Sequence, residues 1–138
     1  MLAVLPIIRL ALLLAFDLIF ATQIAVSFGA RVDSGRIVIS TILVFLVVAS
    51  NFFGNLRPNY FVGIRTPWTL QNPETWRATH RAGGRLFFFT SLILLMCQFF
   101  VSTRTFTSIS AGSLFLLVIW AFAYSWHHFQ THAAAVTH

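Results

Sequence analysis

Four long apolar runs, separated by polar connections of unequal length, set the pattern of this chain. The first covers about 5–29 and is interrupted by Asp17; the others cover about 37–53, 86–101 and 106–126. Each approaches the ~20 residues that a helix needs to cross the hydrocarbon layer. In lipid every backbone polar group must be satisfied within the protein, which leaves helices or a closed barrel, and four strands are too few to close one. The pattern therefore predicts an all-α membrane protein: a four-helix transmembrane bundle forming one integral membrane domain over residues 1–138.

Two of the connections are tight turns, residues 30–36 and 102–105, whereas the middle one, 54–85, is long and polar. Within it Asn72 is a good N-cap, Pro73 suits the first helical position and Glu74 complements the helix dipole. A short interfacial helix is predicted from Pro73 to about Ala82, after which Gly83-Gly84 allow a bend or a close packing contact. Arg77, Arg81 and Arg85 recur every four residues and would share one face; Trp76, His80 and Gly83 fall on another. Before the helix, Arg57-Pro58 and Thr66-Pro67 read as extended or turn segments.

Composition agrees with a bilayer as solvent. Only 9% of residues are charged and 58% are hydrophobic, against about 25% charged in soluble domains. The first run reads as a span and not as a cleaved leader, because it is long and carries Asp17 in its middle. The lone Cys97 can form no internal disulfide. All nine basic residues are arginines and the net charge is +6, which favours anionic lipid headgroups or an acidic partner and suits bidentate contacts to carboxylate or phosphate. Nucleic acid is not an expected partner, since the cations sit beside spans. Five of the arginines lie in 54–85. By the positive-inside rule this loop and both termini are expected in the cytoplasm, with Arg31 and Arg36 opposing mildly.

The stretch Arg57-Pro58-Asn59-Tyr60-Phe61-Val62-Gly63-Ile64-Arg65-Thr66-Pro67-Trp68-Thr69-Leu70, followed by Trp76, Thr79-His80-Arg81 and Gly83-Gly84-Arg85, resembles the signature of the SdpI family. This is the sporulation-delaying-protein immunity family of bacterial integral membrane proteins. The resemblance implies a multi-pass protein of the bacterial inner membrane with the signature loop on the cytoplasmic side. It implies a non-enzymatic role in toxin immunity or transmembrane signalling. A peptide toxin and a soluble regulatory protein then join membrane lipids as candidate partners; the particular toxin is not implied.

Arg57, Asn59, Tyr60, Gly63, Arg65, Thr66, Trp68, Trp76, His80, Arg81 and Arg85 are the expected binding site, one packed polar cluster at the cytoplasmic mouth of the bundle. Arg65 with Thr66-Pro67-Trp68 reads either as an anion clamp or as a structural turn anchored by an interfacial tryptophan. Asp17, an ionisable residue in mid-span, is expected to face the bundle and find a cation such as Arg9, Arg57 or Arg65; the alternative function is a small transporter or channel centred on it. A membrane enzyme using His80 as a base is a further alternative, although no nucleophile or paired carboxylate accompanies it; Glu74 is expected to cap the helix and pair with Arg77 or Arg81. His128 and His132 are weak metal candidates at helical spacing, with His127 and His138 nearby. No cofactor is expected. Ser110, Gly112 and Ser113 permit close helix approach, which is compatible with a homo-oligomer.

Overall fold

The computed structural model describes residues 4–60 and 62–133 and is all-helical, with no strand among the described residues. Four long helices are α1 (Val4–Ser27), α2 (Ser34–Ser50), α4 (Pro73–Cys97) and α5 (Thr103–Ala133). A 3-10 turn at Phe53–Asn55 and the short α3 (Pro67–Gln71) lie between α2 and α4. This is an all-α membrane protein. Three segments are long and apolar enough to cross a bilayer: Leu5–Ser27, Ser34–Asn55 and Thr103–Thr131. The apolar part of α4, residues 86–97, covers only about 18 Å of rise.

The centre of the molecule is built by α2, α4 and α5. Leu43, Leu94 and Phe106 form the middle of their core, with Ile39, Leu95, Val101 and Leu114 around it. Helix α1 packs along α2, and near its start Ile8 closes over Leu56 and Trp76 in a second apolar cluster. The first helix is otherwise exposed along most of its length, as a lipid-facing helix can be.

The expected short helix of the long connection is the first half of α4, which continues without a break into the third apolar run. Asn72 starts it as foreseen: its side-chain oxygen accepts from the N–H groups of Glu74 (2.8 Å) and Thr75 (3.2 Å). The glycine pair does not interrupt the helix. A Cβ on Gly84 would stand 2.9 Å from the carbonyl oxygen of Ser50, and one on Gly83 would stand 2.7 Å from Cδ1 of Ile64. The two glycines let α4 lie directly against the end of α2 and against the loop. Helix α5 is also longer than its apolar run, beginning at Thr103 and extending past Trp126 to Ala133.

The end of the bundle away from the long connection is tied by side chains. Asp33 caps α2 by accepting from the N–H of Arg36, and it also accepts from the hydroxyl of Thr103. Those hydrogen bonds hold the Asp33 carboxyl below its usual pKa, the Thr103 contact contributing most. Arg36 in turn donates from Nη2 to the carbonyl oxygen of Val101 at 2.8 Å. The two short turns are thereby joined.

Candidate functional site

The connection between α2 and α4 is folded into a knot of hydrogen bonds, starting with its own turns. Asn59 donates to the carbonyl oxygen of Arg57 (2.8 Å) and accepts from the N–H of Val62 (2.8 Å). Gly63 follows at φ +120°, a conformation that side chains disfavour. Arg65 donates from Nη1 to the carbonyl oxygen of Tyr60 at 2.7 Å and closes this small loop. Thr66 and Thr69 then cap α3 reciprocally: each side-chain oxygen accepts the other residue's backbone N–H, at 3.3 and 3.0 Å. Pro67 takes the first helical position, where its missing N–H costs nothing.

His80 is the centre of the knot and is buried. Its Nε2 accepts from the backbone N–H of Ile64 at 2.9 Å, and its Nδ1 lies 2.8 Å from the carbonyl oxygen of Trp76. A backbone N–H can only donate and a carbonyl can only accept, so Nε2 is bare and the neutral ring carries its proton on Nδ1. Its plane stacks on Trp76 at 4.0 Å, and Phe53 meets it edge-on. Trp76 is itself fully buried and donates from Nε1 to the carbonyl oxygen of Leu56 at 2.8 Å. Neither nitrogen of His80 is left to take a substrate proton.

The C-terminal part of α5 fastens the knot from the other side. Thr66 Oγ1 donates to Ser125 Oγ at 3.0 Å, with both side chains fully buried. Thr75 Oγ1 lies 3.3 Å from His128 Nδ1. Trp68 packs edge-on against Trp126 (4.8 Å between centroids) and Phe122 (6.4 Å).

Burial pushes the pKa of His80 below that of an ordinary imidazole, a shift that the hydrogen bond to Trp76 partly offsets. A depressed folded-state value means that the unfolded chain binds a proton that the folded chain refuses. The stability tied to His80 is therefore complete above the unfolded value near 6.5 and is lost as pH falls through it towards the folded value. Protonation would also set Nε2–H against the N–H of Ile64. The expected result is a melting temperature in detergent that drops below about pH 6.5. His80→Gln should flatten that dependence, whatever the other histidines contribute. Parallel profiles for the two proteins would contradict this role.

The expected site residues thus divide between two surfaces. Thr66, Trp76 and His80 point inward, and Gly63 and Trp68 pack beside them. Arg57, Tyr60, Arg65, Arg81 and Arg85 are exposed, as is Arg77. The arginines line more than one cleft. Arg81 and Arg85 line a cleft of about 450 Å³ with Ser50, Asn51 and Phe88. Arg57 and Arg77 line a neighbouring cleft of about 480 Å³ beside the 3-10 turn. Among the described residues Arg36 pairs with Asp33, whereas Glu74 forms no ion pair with Arg77 or Arg81. Glu74, Arg77, Arg81 and His128 do line one further small cleft.

Asp17 is placed differently from expectation: it is exposed on α1 and forms no ion pair with Arg9 or any other described residue. The reason is that α1 has α2 as its helix neighbour and turns most of its circumference outward. No group of three metal-binding side chains occurs among the described residues; the side chain of His132 and the whole of His138 lie outside them. Sequence reasoning did not single out Thr69, Thr75, Ser125 or Leu56 as parts of the knot. The Thr66-x-x-Thr69 spacing around Pro67 was a legible cap signal, whereas the bonds to α5 leave no local trace.

Comparison with known proteins gives a family and one curated relative. Residues 55–125 match the profile of the SdpI/YfhL protein family. The chain is 27% identical over 85 residues to "Immunity protein SdpI" of Bacillus subtilis (strain 168), a match covering 62% of this chain and 38% of the relative. The chain thus spans well under half the length of that relative. No solved structure matches. The matched segment begins in the 3-10 turn and ends at Ser125, so it encloses the bond between Thr66 and Ser125, while Trp126 and His128 lie just beyond it.

Proposed function

The chain belongs to the SdpI/YfhL protein family, and from that premise we propose that it is an immunity and signalling protein of the bacterial inner membrane. Its working surface is the exposed arginine face carried on the buried knot. Arg57, Arg65, Arg77, Arg81 and Arg85 bind an acidic partner there: a peptide toxin, a soluble regulatory protein or a lipid phosphate. The observation that carries this reading is the division within α4. Trp76, His80, Gly83 and Gly84 are buried, while the three arginines of the same helix are exposed and paired with no described carboxylate. A helix fixed on one side presents its cations on the other at little entropic cost, which favours binding.

The four long helices form a single four-span domain, α4 completing its crossing with its arginines at headgroup level. The loop end carries Arg9, Arg57, Arg65, Arg77, Arg81 and Arg85, and the opposite end carries Arg31, Arg36 and Arg104. That imbalance supports a cytoplasmic loop and cytoplasmic termini. Nothing in the lining of the described clefts draws Asp17 into a pathway.

Deleting the protein from its host should sensitise cells to conditioned medium from the parent strain. Wild type should restore survival, and a protein with Arg65, Arg77 and Arg81 replaced by alanine should not, although it accumulates in the membrane to the same level. A deletion strain as resistant as its parent would remove the immunity reading. Full rescue by the arginine variant would remove the arginine face from it.

A further inference from the structure

We propose that the cleft between the end of α2 and the middle of α4 is a headgroup site for an anionic glycerophospholipid, with Arg81 and Arg85 holding its phosphate. The cleft is lined by Ser50, Asn51, Gly54, Gly84, Arg81, Arg85, Phe88 and Phe89. Its contents change in character along α4. The arginines lie about 5–12 Å nearer the polar end of the helix than Phe88 and Phe89. That order matches a lipid, whose phosphate stands above the first methylenes of its chains. The change falls at Leu86, where α4 passes from its polar half to its apolar half, and the last turn of α2 ends its own apolar run at the same level. The cleft is thus at the edge of the hydrocarbon layer.

The lining favours an anion that also carries donors. It contains two guanidinium groups and no carboxylate; Glu74, the one acid of the connection, lines a different cleft on the far flank of Arg81. Arg85 donates from Nε to the carbonyl oxygen of Arg81 at 3.4 Å, which draws its side chain back along α4 towards Arg81. Two guanidinium groups one turn apart can grip the oxygens of a phosphodiester. Asn51 donates its amide to the carbonyl oxygen of Val47, leaving its side-chain oxygen as an acceptor beside them. A phosphoglycerol headgroup offers both the phosphate and the hydroxyls that such a lining would take. Gly84 makes the place possible, because any side chain there would push the end of α2 off α4 and open the cleft's floor.

This deepens the reading of the loop arginines as an anion-binding face and rests on it; it assigns two of the five to lipid. The test is native mass spectrometry of the full chain released from nanodiscs containing phosphatidylglycerol, phosphatidylethanolamine and phosphatidylcholine. Wild type should retain phosphatidylglycerol over phosphatidylcholine by about tenfold, and Arg81→Gln with Arg85→Gln should abolish the preference. Arg31→Gln with Arg104→Gln, which removes the same charge at the opposite end, should leave it intact. No preference in wild type, equal loss in both double variants, or displacement of the lipid by glycerol phosphate without chains would each overturn the site. If lipid selectivity fails while the arginine variants still lose protection in the survival assay, the lipid site alone falls and the partner face stands.

Discussion

Gly63→Ala should destabilise the protein by about 2–5 kcal/mol. Two separate costs meet at this position. Gly63 has φ +120°, outside the regions open to alanine. A Cβ there would also collide with Nε2 of His80, the atom that accepts from the N–H of the next residue, Ile64. The collision cannot be relieved by a small shift of the ring, because Trp76 stacks on one of its faces and Nδ1 is tied to the carbonyl oxygen of Trp76. Unfolding in mixed detergent micelles measures the loss. The double variant Gly63→Ala/His80→Ala separates its parts: the steric conflict disappears while the backbone cost remains. If Gly63→Ala lies within about 0.5 kcal/mol of wild type, as surface changes do, the loop does not follow the described path.

That single atom-sized gap illustrates which parts of the molecule a sequence can reveal. The apolar runs were legible because lipid imposes a length and a composition on any span, so the all-α membrane class followed directly. The start of α4 was legible because Asn72, Pro73 and Glu74 act within one turn. Its continuity through Gly83-Gly84 was not. Glycine lowers helix propensity in isolation, and only the approach of Ser50 and Ile64 turns its missing side chain into an advantage. The extension of α5 beyond Trp126 was hidden for the same reason. The contact it makes there, Thr75 with His128, links residues more than fifty positions apart, as does that of Thr66 with Ser125 just before it.

The candidate site divides along a similar line. The signature stretch coincides with the hydrogen-bonded connection, and the spacing of Arg77, Arg81 and Arg85 placed them on one face of a helix, with Trp76 and His80 on another. Spacing alone could not tell which face would be buried. A polar reading of the cluster put histidine and arginine together, whereas the structure pairs histidine with tryptophan and leaves the arginines outward. Desolvation decides this. A neutral imidazole with two backbone partners can be buried cheaply, and an arginine without a carboxylate cannot. Asp17 departs from its rule because that rule presumes neighbours on every side, and α1 has them chiefly along α2.

Trp76→Ala should carry the second large effect, and its consequences should reach the arginine face. Deleting a fully buried tryptophan leaves a cavity worth about 3–5 kcal/mol. The same change removes the donor to the carbonyl oxygen of Leu56 and the ring on which His80 stacks. Trp76→Phe keeps most of the volume and loses only the hydrogen bond, leaving a buried carbonyl unsatisfied at a cost of about 1–3 kcal/mol. The graded pair distinguishes a packing role from a contact role. If the knot is what orients the arginines, protection in the survival assay should fall with stability from wild type through Trp76→Phe to Trp76→Ala, although Trp76 is too deeply buried to touch a partner. Restoring stability in Trp76→Ala by growth at low temperature should then restore part of the protection. Full protection by an unstable Trp76→Ala would mean that the arginines need no scaffold, and the binding face would have to be sought in the flexible display of the loop instead of in its fixed geometry.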